Sequence, residues 1–139
     1  AVDNMIFFKN NYWWLFTNIA NGHKDRFSNL DIFYSDNPLS DKWIQHDKNP
    51  IFVNIEKSRN AGIIINKNDI FRINQSPSFY EYGYEINLNK IIKLTPENYE
   101  EVCIRNVKPD FKKNLIGIHH LNKIDEVVAM DFCENSFFS

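Results

Sequence analysis

The sequence predicts an all-β chain built as about two and a half β-propeller blades, each a sheet of four antiparallel strands. Three observations predict it. Short runs rich in Ile, Phe, Tyr and Trp alternate with polar residues and are separated by turns of Asn, Asp and Lys. Helical periodicity is poor almost everywhere. A strand–turn–strand unit also recurs: MIFFKNNYWWLF, GIIINKNDIFRI and IHHLNKIDEVVAM carry Lys9, Lys67 and Lys123, with steps of 58 (9 to 67) and 56 (67 to 123).

In chain order the expected strands are NMIFF (4–8), YWWLFTN (12–18), LDIFYS (30–35), KWIQH (42–46), GIIIN (62–66) and DIFRIN (69–74). YGYEINL (82–88), EVCIRN (101–106), LIGIHH (115–120) and EVVAMDF (126–132) follow. The turns KNN (9–11), NKND (66–69) and NKID (122–125) contain residues that tolerate a positive φ. One segment reads differently. TPENYEEV (95–102) looks like a helix start, with Thr95 as N-cap, Pro96 in the first position and acids in the first turn.

The first unit supplies four strands before Arg59, the second three or four before Leu115, and the third only two. A part-ring would leave strand edges open. Residues 1–139 are therefore expected to form a single propeller-type domain, the C-terminal part of a larger ring, completed by remaining blades or by another copy of the chain.

Composition narrows the function. The 139 residues are 43% hydrophobic and 15% aromatic, enough for a packed core. A net charge of −2, with Lys and Arg scattered, gives no basic stripe for nucleic acid. No apolar run approaches the roughly 20 residues a membrane span needs. Cys103 and Cys133 are far apart and lack zinc spacing; two buried free thiols are expected, with one disulfide as the alternative. The chain opens at Ala1 without Met, so processing and localisation stay open, with the cytoplasm as default.

An ordered series of motifs carries a family resemblance. It runs W-W-L-F (13–16), L-D-I-F-Y-S (30–35), W-I-Q-H…N-P-I (43–51), S-R-N-A-G (58–62) and F-R-I-N-Q (71–75). Y-G (82–83), I-x-x-L (91–94), Y-E-E (99–101), G-I-H-H (117–120) and A-M-D (129–131) complete it. The series resembles the five-bladed propeller domain of glucosamine inositolphosphorylceramide transferases and related bacterial proteins, similar in fold to glycoside hydrolase family 43. The likeness implies a carbohydrate-active domain, hydrolase-like or accessory to a sugar-modifying transferase, holding a sugar or sugar conjugate in an axial pocket. No cofactor is expected, although the resemblance allows an axial calcium ion.

Family 43 hydrolysis needs carboxylates whose surroundings push their pKa values apart, so that one holds a proton while another stays ionised. The inner-strand starts offer Asp3, Arg59 and His119 or His120, and only Asp3 is a carboxylate. Asp3 is thus the catalytic candidate. The resembling transferase-associated domain carries an Arg at the SRNAG position and an Arg-x-x-Gln pair followed by Asp; Ser76 stands in that Asp position here. The catalytic reading is weaker for it.

The binding candidates are Arg59, Arg72, Gln75, His119 and His120. With a loop at 66–69, Ile65 faces Ile70 and Ile63 faces Arg72, so Arg72, Ala61 and Arg59 share one side and Ile64, Phe71 and Gln75 the other, unless a bulge shifts them. A guanidinium fork suits a sugar hydroxyl, carboxylate or phosphate, the bland alternative being a tie between blades. Gln75 would bond a hydroxyl or cap a loop. His119 and His120, adjacent on a strand, point to opposite faces and cannot share a ligand without a backbone irregularity. Trp13 and Trp14 likewise oppose each other, one of them core. His23 and His46 read as loop or outer-strand residues, Tyr80, Tyr82 and Tyr84 as outer packing, and Asp131 as a cap at the last strand's end. Three classes stay open: a carbohydrate-active domain, a non-catalytic binding or scaffold module that has lost the acid–base set, and an assembly protein pairing through strand edges.

Overall fold

The computed structural model describes residues 1–20, 22, 28–77 and 84–135; His23, Tyr80 and Tyr82 lie outside them. Among the described residues eleven strands are formed: β1 (Val2–Lys9), β2 (Tyr12–Ile19), β3 (Asn29–Ser35), β4 (Ile44–Gln45), β5 (Phe52–Val53), β6 (Asn60–Asn66), β7 (Asp69–Ser76), β8 (Glu85–Thr95), β9 (Asn98–Val107), β10 (Leu115–Ile124) and β11 (Val127–Glu134). They group as β1-β2-β3-β4 with β5 also on β3, then β6-β7-β8-β9, then β10-β11. The chain is all-β, with two sheets having a four-strand run and a third sheet of two strands.

Short polar turns open each sheet. Asn10 and Asn11 both take positive φ, 52° and 66°, the geometry whose twist suits a two-residue hairpin. Lys67 at 54° and Asp125 at 52° begin the corresponding turns of β6–β7 and β10–β11. The strand–turn–strand unit recurs, but its Lys residues are not equivalent: Lys9 pairs with Tyr12 at the end of β1, Lys67 begins its turn, and Lys123 pairs with Val128, the third turn falling at 125–126.

The helix read over 95–102 is absent, and the same residues turn a β-hairpin. Thr95 ends β8, Asn98 begins β9, and the Thr95 hydroxyl accepts the Asn98 N–H at 3.1 Å. A Thr hydroxyl closes a turn by the bond it would use to cap a helix, and Pro presets φ for either. Ile91, Ile92 and Val102 on the flanks then favour the extended state.

The chain divides into two compact units, residues 1–60 with 92–101 and residues 61–91 with 102–139. In the first, cross-strand pairing stacks Phe7 on Trp14 and Met5 on Phe16, and Phe16 pairs in turn with Ile32. All five are buried. Burying a side chain of this size contributes about 1.5–3 kcal/mol. Trp14 is the core member of the Trp pair, and its indole N–H donates to the Lys9 carbonyl at 3.0 Å. Tyr99, on the hairpin tip, sets its ring 5.6 Å from Phe16 and 6.3 Å from Phe52.

The second unit packs Ala61, Ile73, Ile86 and Ile118, with Ile64, Leu88, Leu121 and Met130 against them. Ala61 therefore shares a core with Ile64 and Ile73, not the opposite side as regular alternation required. Gly62 lies between, at φ 134°, where a side chain is strained. A Cβ there would also fall on the Leu121 carbonyl oxygen. Cys103 and Cys133 are free, as expected, but Cys103 is exposed and Cys133 only part-buried. Asp131 does not end its strand: it pairs with His120 inside β11.

Candidate functional site

In the first unit a buried amide fixes the Ser58-Arg59-Asn60 segment. Asn18 is fully buried in β2; its side-chain N–H groups donate to the carbonyls of Asn29 at 3.0 Å and Ser58 at 2.8 Å, and its oxygen accepts the Asn60 N–H at 2.9 Å. The Asn60 side chain donates to the Asp3 carbonyl at 3.1 Å. With its neighbours clamped, Arg59 directs Nε to Asp3 Oδ2 at 2.7 Å. The two side chains keep 19% and 28% exposure. Asp3 has φ 54°, and the β1–β2 register is irregular between Val2 and Met5. Two strand starts nominated by the sequence thus meet.

The same unit carries a groove of about 260 Å³ lined by Lys48, Ile51, Phe52, Tyr99, Glu100 and Glu101. Tyr99 donates its hydroxyl to Glu101, and Lys48 Nζ donates to Asn98 Oδ1 at 3.1 Å. His46 lies in the loop after β4, as read, and is buried there; its Nδ1 accepts the Lys48 N–H at 3.0 Å, and its Nε2 has no partner among the described residues. Burial also pushes the Asp31 carboxyl above its ordinary value. The Tyr34 phenol is pushed up by burial, then by the charges of Asp47 and Glu97 and by Tyr12.

The second unit holds the other candidates. Arg72 is completely buried in β7, opposite Asn89, whose amide donates to the Arg72 carbonyl at 3.2 Å and to Asn74 Oδ1 at 2.7 Å. Gln75 donates Nε2 to the His119 carbonyl at 3.0 Å, while its Oε1 is buried without a partner among the described residues. The backbone irregularity that the two histidines would need is present. Ile118 pairs with Phe132 and His120 with Asp131, leaving His119 as an extra residue in β10. His119 is part-buried and His120 exposed. Among the described residues no three His, Cys, Asp or Glu gather to hold a metal ion.

Sequence reasoning nominated Arg59 and passed over Asn18 and Asn60, which hold it. Asn is depleted in strands because its polar side chain gains little on a pleated, half-buried surface. An Asn inside an apolar run such as YWWLFTNI was the available signal.

Residues 1–125 match the family described as glucosamine inositolphosphorylceramide transferase 1, N-terminal. The chain belongs to this family. Its members include glucosamine inositolphosphorylceramide transferase 1 of Oryza sativa subsp. japonica, 32% identical over 130 residues. The protein of the same name from Oryza sativa subsp. indica is also 32% identical over 130 residues. Each alignment covers 87% of this chain and 17% of the relative, so the chain spans about a sixth of these transferases. No solved structure matches. The family match takes in β1 to β10 complete, and with them the Asn18 clamp, the Asp3–Arg59 pair and the Arg72–Gln75 strand.

Proposed function

We propose that this chain is the ligand-recognising propeller part of a sugar-modifying transferase, holding a sugar or sugar conjugate through Arg59 and Asp3. The observation that carries the reading is the clamped, partly exposed Arg59–Asp3 pair. A guanidinium beside a carboxylate offers planar donors and an acceptor together, suited to a sugar hydroxyl or an inositol phosphate. The relatives' names supply the ligand class: a glucosamine donor or an inositolphosphoryl acceptor. Gln75, His119 and His120, with Arg72 behind them, are proposed as a second set of contacts, and a five-bladed, family 43-like ring as the frame.

Within this reading the chain binds and does not hydrolyse. Asp3 is the one carboxylate among the proposed contact residues, and its Oδ2 accepts from Arg59 Nε at 2.7 Å. A general base must be free to accept a hydrogen bond from the attacking water, and the Asp3 oxygen that faces Arg59 already accepts from its guanidinium.

Calorimetric titration of the protein with glucosamine, a nucleotide sugar and inositol phosphate tests the proposal. One of the three is expected to bind, with affinity lowered on the order of tenfold in Arg59→Ala. No binding to any of them, or binding indifferent to Arg59→Ala, overturns it. Glycosidase turnover abolished by Asp3→Asn would instead make the domain a hydrolase.

A further inference from the structure

Strand β9 is the outer edge of its sheet, with β8 on one side and no described strand on the other. Exposed edges ordinarily carry Lys, Pro or a bulge that blocks further pairing. Asn98–Val107 contains neither Lys nor Pro. Pro96 stands just before it, and Lys108 and Pro109 just after. Residues 102–106 are all exposed, and Val102 and Ile104 keep 47% and 51% of their surface in solvent. The edge is bounded at both ends and open in the middle.

Its central stretch, Glu101-Val102-Cys103-Ile104-Arg105, complements itself when read backwards. We propose that β9 pairs antiparallel with β9 of a second copy of this chain, about a two-fold axis at Cys103. Val102 of each copy then lies opposite Ile104 of the other, and Glu101 opposite Arg105, once at each end. β-branched and oppositely charged cross-strand neighbours favour such pairing, and a two-fold contact repeats each gain. Moving the centre to Val102 or Ile104 sets Glu101 and Arg105 against uncharged residues, so the charges select one register. The free edge of β11 has no equivalent, because its only charges, Asp131 and Glu134, are both acidic.

The register makes a covalent prediction. Facing residues in an antiparallel pair have Cα atoms about 4.5–5.5 Å apart, inside the roughly 4.4–6.8 Å range a disulfide spans. Mild oxidation of the intact protein with molecular oxygen and a copper–phenanthroline catalyst takes two electrons and two protons from the facing Cys103 thiols. A reducible dimer is expected, lost in Cys103→Ser and kept in Cys133→Ser. By light scattering without oxidant the protein is expected to be dimeric. Glu101→Arg should weaken the dimer on the order of tenfold, and adding Arg105→Glu should restore it. A monomer at tens of micromolar, a dimer indifferent to Glu101→Arg, or a charge swap that fails to restore pairing overturns the proposal. Failure of sugar binding would leave it intact, because no residue of the Arg59 site takes part.

Discussion

Arg59 and Asp3 are 56 positions apart in the chain and meet at 2.7 Å, Asp3 near the start of β1 and Arg59 just before β6. The meeting depends on backbone held from beneath by Asn18, so a variant at either level should have a separable effect.

At the level of the pair, Arg59→Ala, Asp3→Ala and the double variant form a cycle. Partly exposed ion pairs couple by about 0.2–1 kcal/mol, and urea unfolding is expected to return a value in that range. Ligand affinity should fall more than stability does. Equal losses in both would reduce the pair to a structural tie.

Asn18→Ala removes three buried hydrogen bonds and leaves backbone groups of Asn29, Ser58 and Asn60 without them. A loss of about 2–4 kcal/mol is expected. Amide exchange should quicken at Asn60 before it does in the Phe7–Trp14 core. Uniform quickening would show that Asn18 supports the whole unit and not the segment.

Gly62→Ala sets a methyl group against the Leu121 carbonyl at a φ that L residues rarely adopt. Destabilisation above about 3 kcal/mol is expected, read as a fall in the denaturant midpoint. A near-neutral result would mean that β6 and β10 part at little cost.

Asp31 gives a pH signature. Burial raises its folded-state pKa above the ordinary 3.8. The folded protein therefore keeps this proton after the unfolded chain has released it, and Asp31 costs stability as pH rises from about 4 through the folded-state value. Asp31→Asn should melt higher than the parent at pH 7, with the difference shrinking towards pH 3. A variant that melts lower at neutral pH would mean that the ionised carboxylate has an unrecognised partner.

Much of the fold was legible in the strand pattern because both signals it uses are local. Alternation and turn residues located ten of the eleven described strands, though β8 was traced only in part; Asn10 and Lys67 opened turns in the expected places, while the third turn moved from 122–125 to 125–126. What went unread depends on distant residues. The two residues of β5 form a strand only because β3 is beside them. Thr95-Pro96 suits a helix or a turn until the flanking strands decide. Ala61 changes side at Gly62, where β6 must pass the Leu121 carbonyl. Of the site, Asp3 and Arg59 followed from their rank in the repeat, whereas burial of His46 and the bulge at His119 arise from packing across strands.

Asn18 grips the carbonyl of Ser58 and the N–H of Asn60, atoms that any residue except proline can offer at both places. The seat is thus indifferent to what residue 59 carries. A new side chain can be mounted at that position without rebuilding the support that Asn18 gives its neighbours.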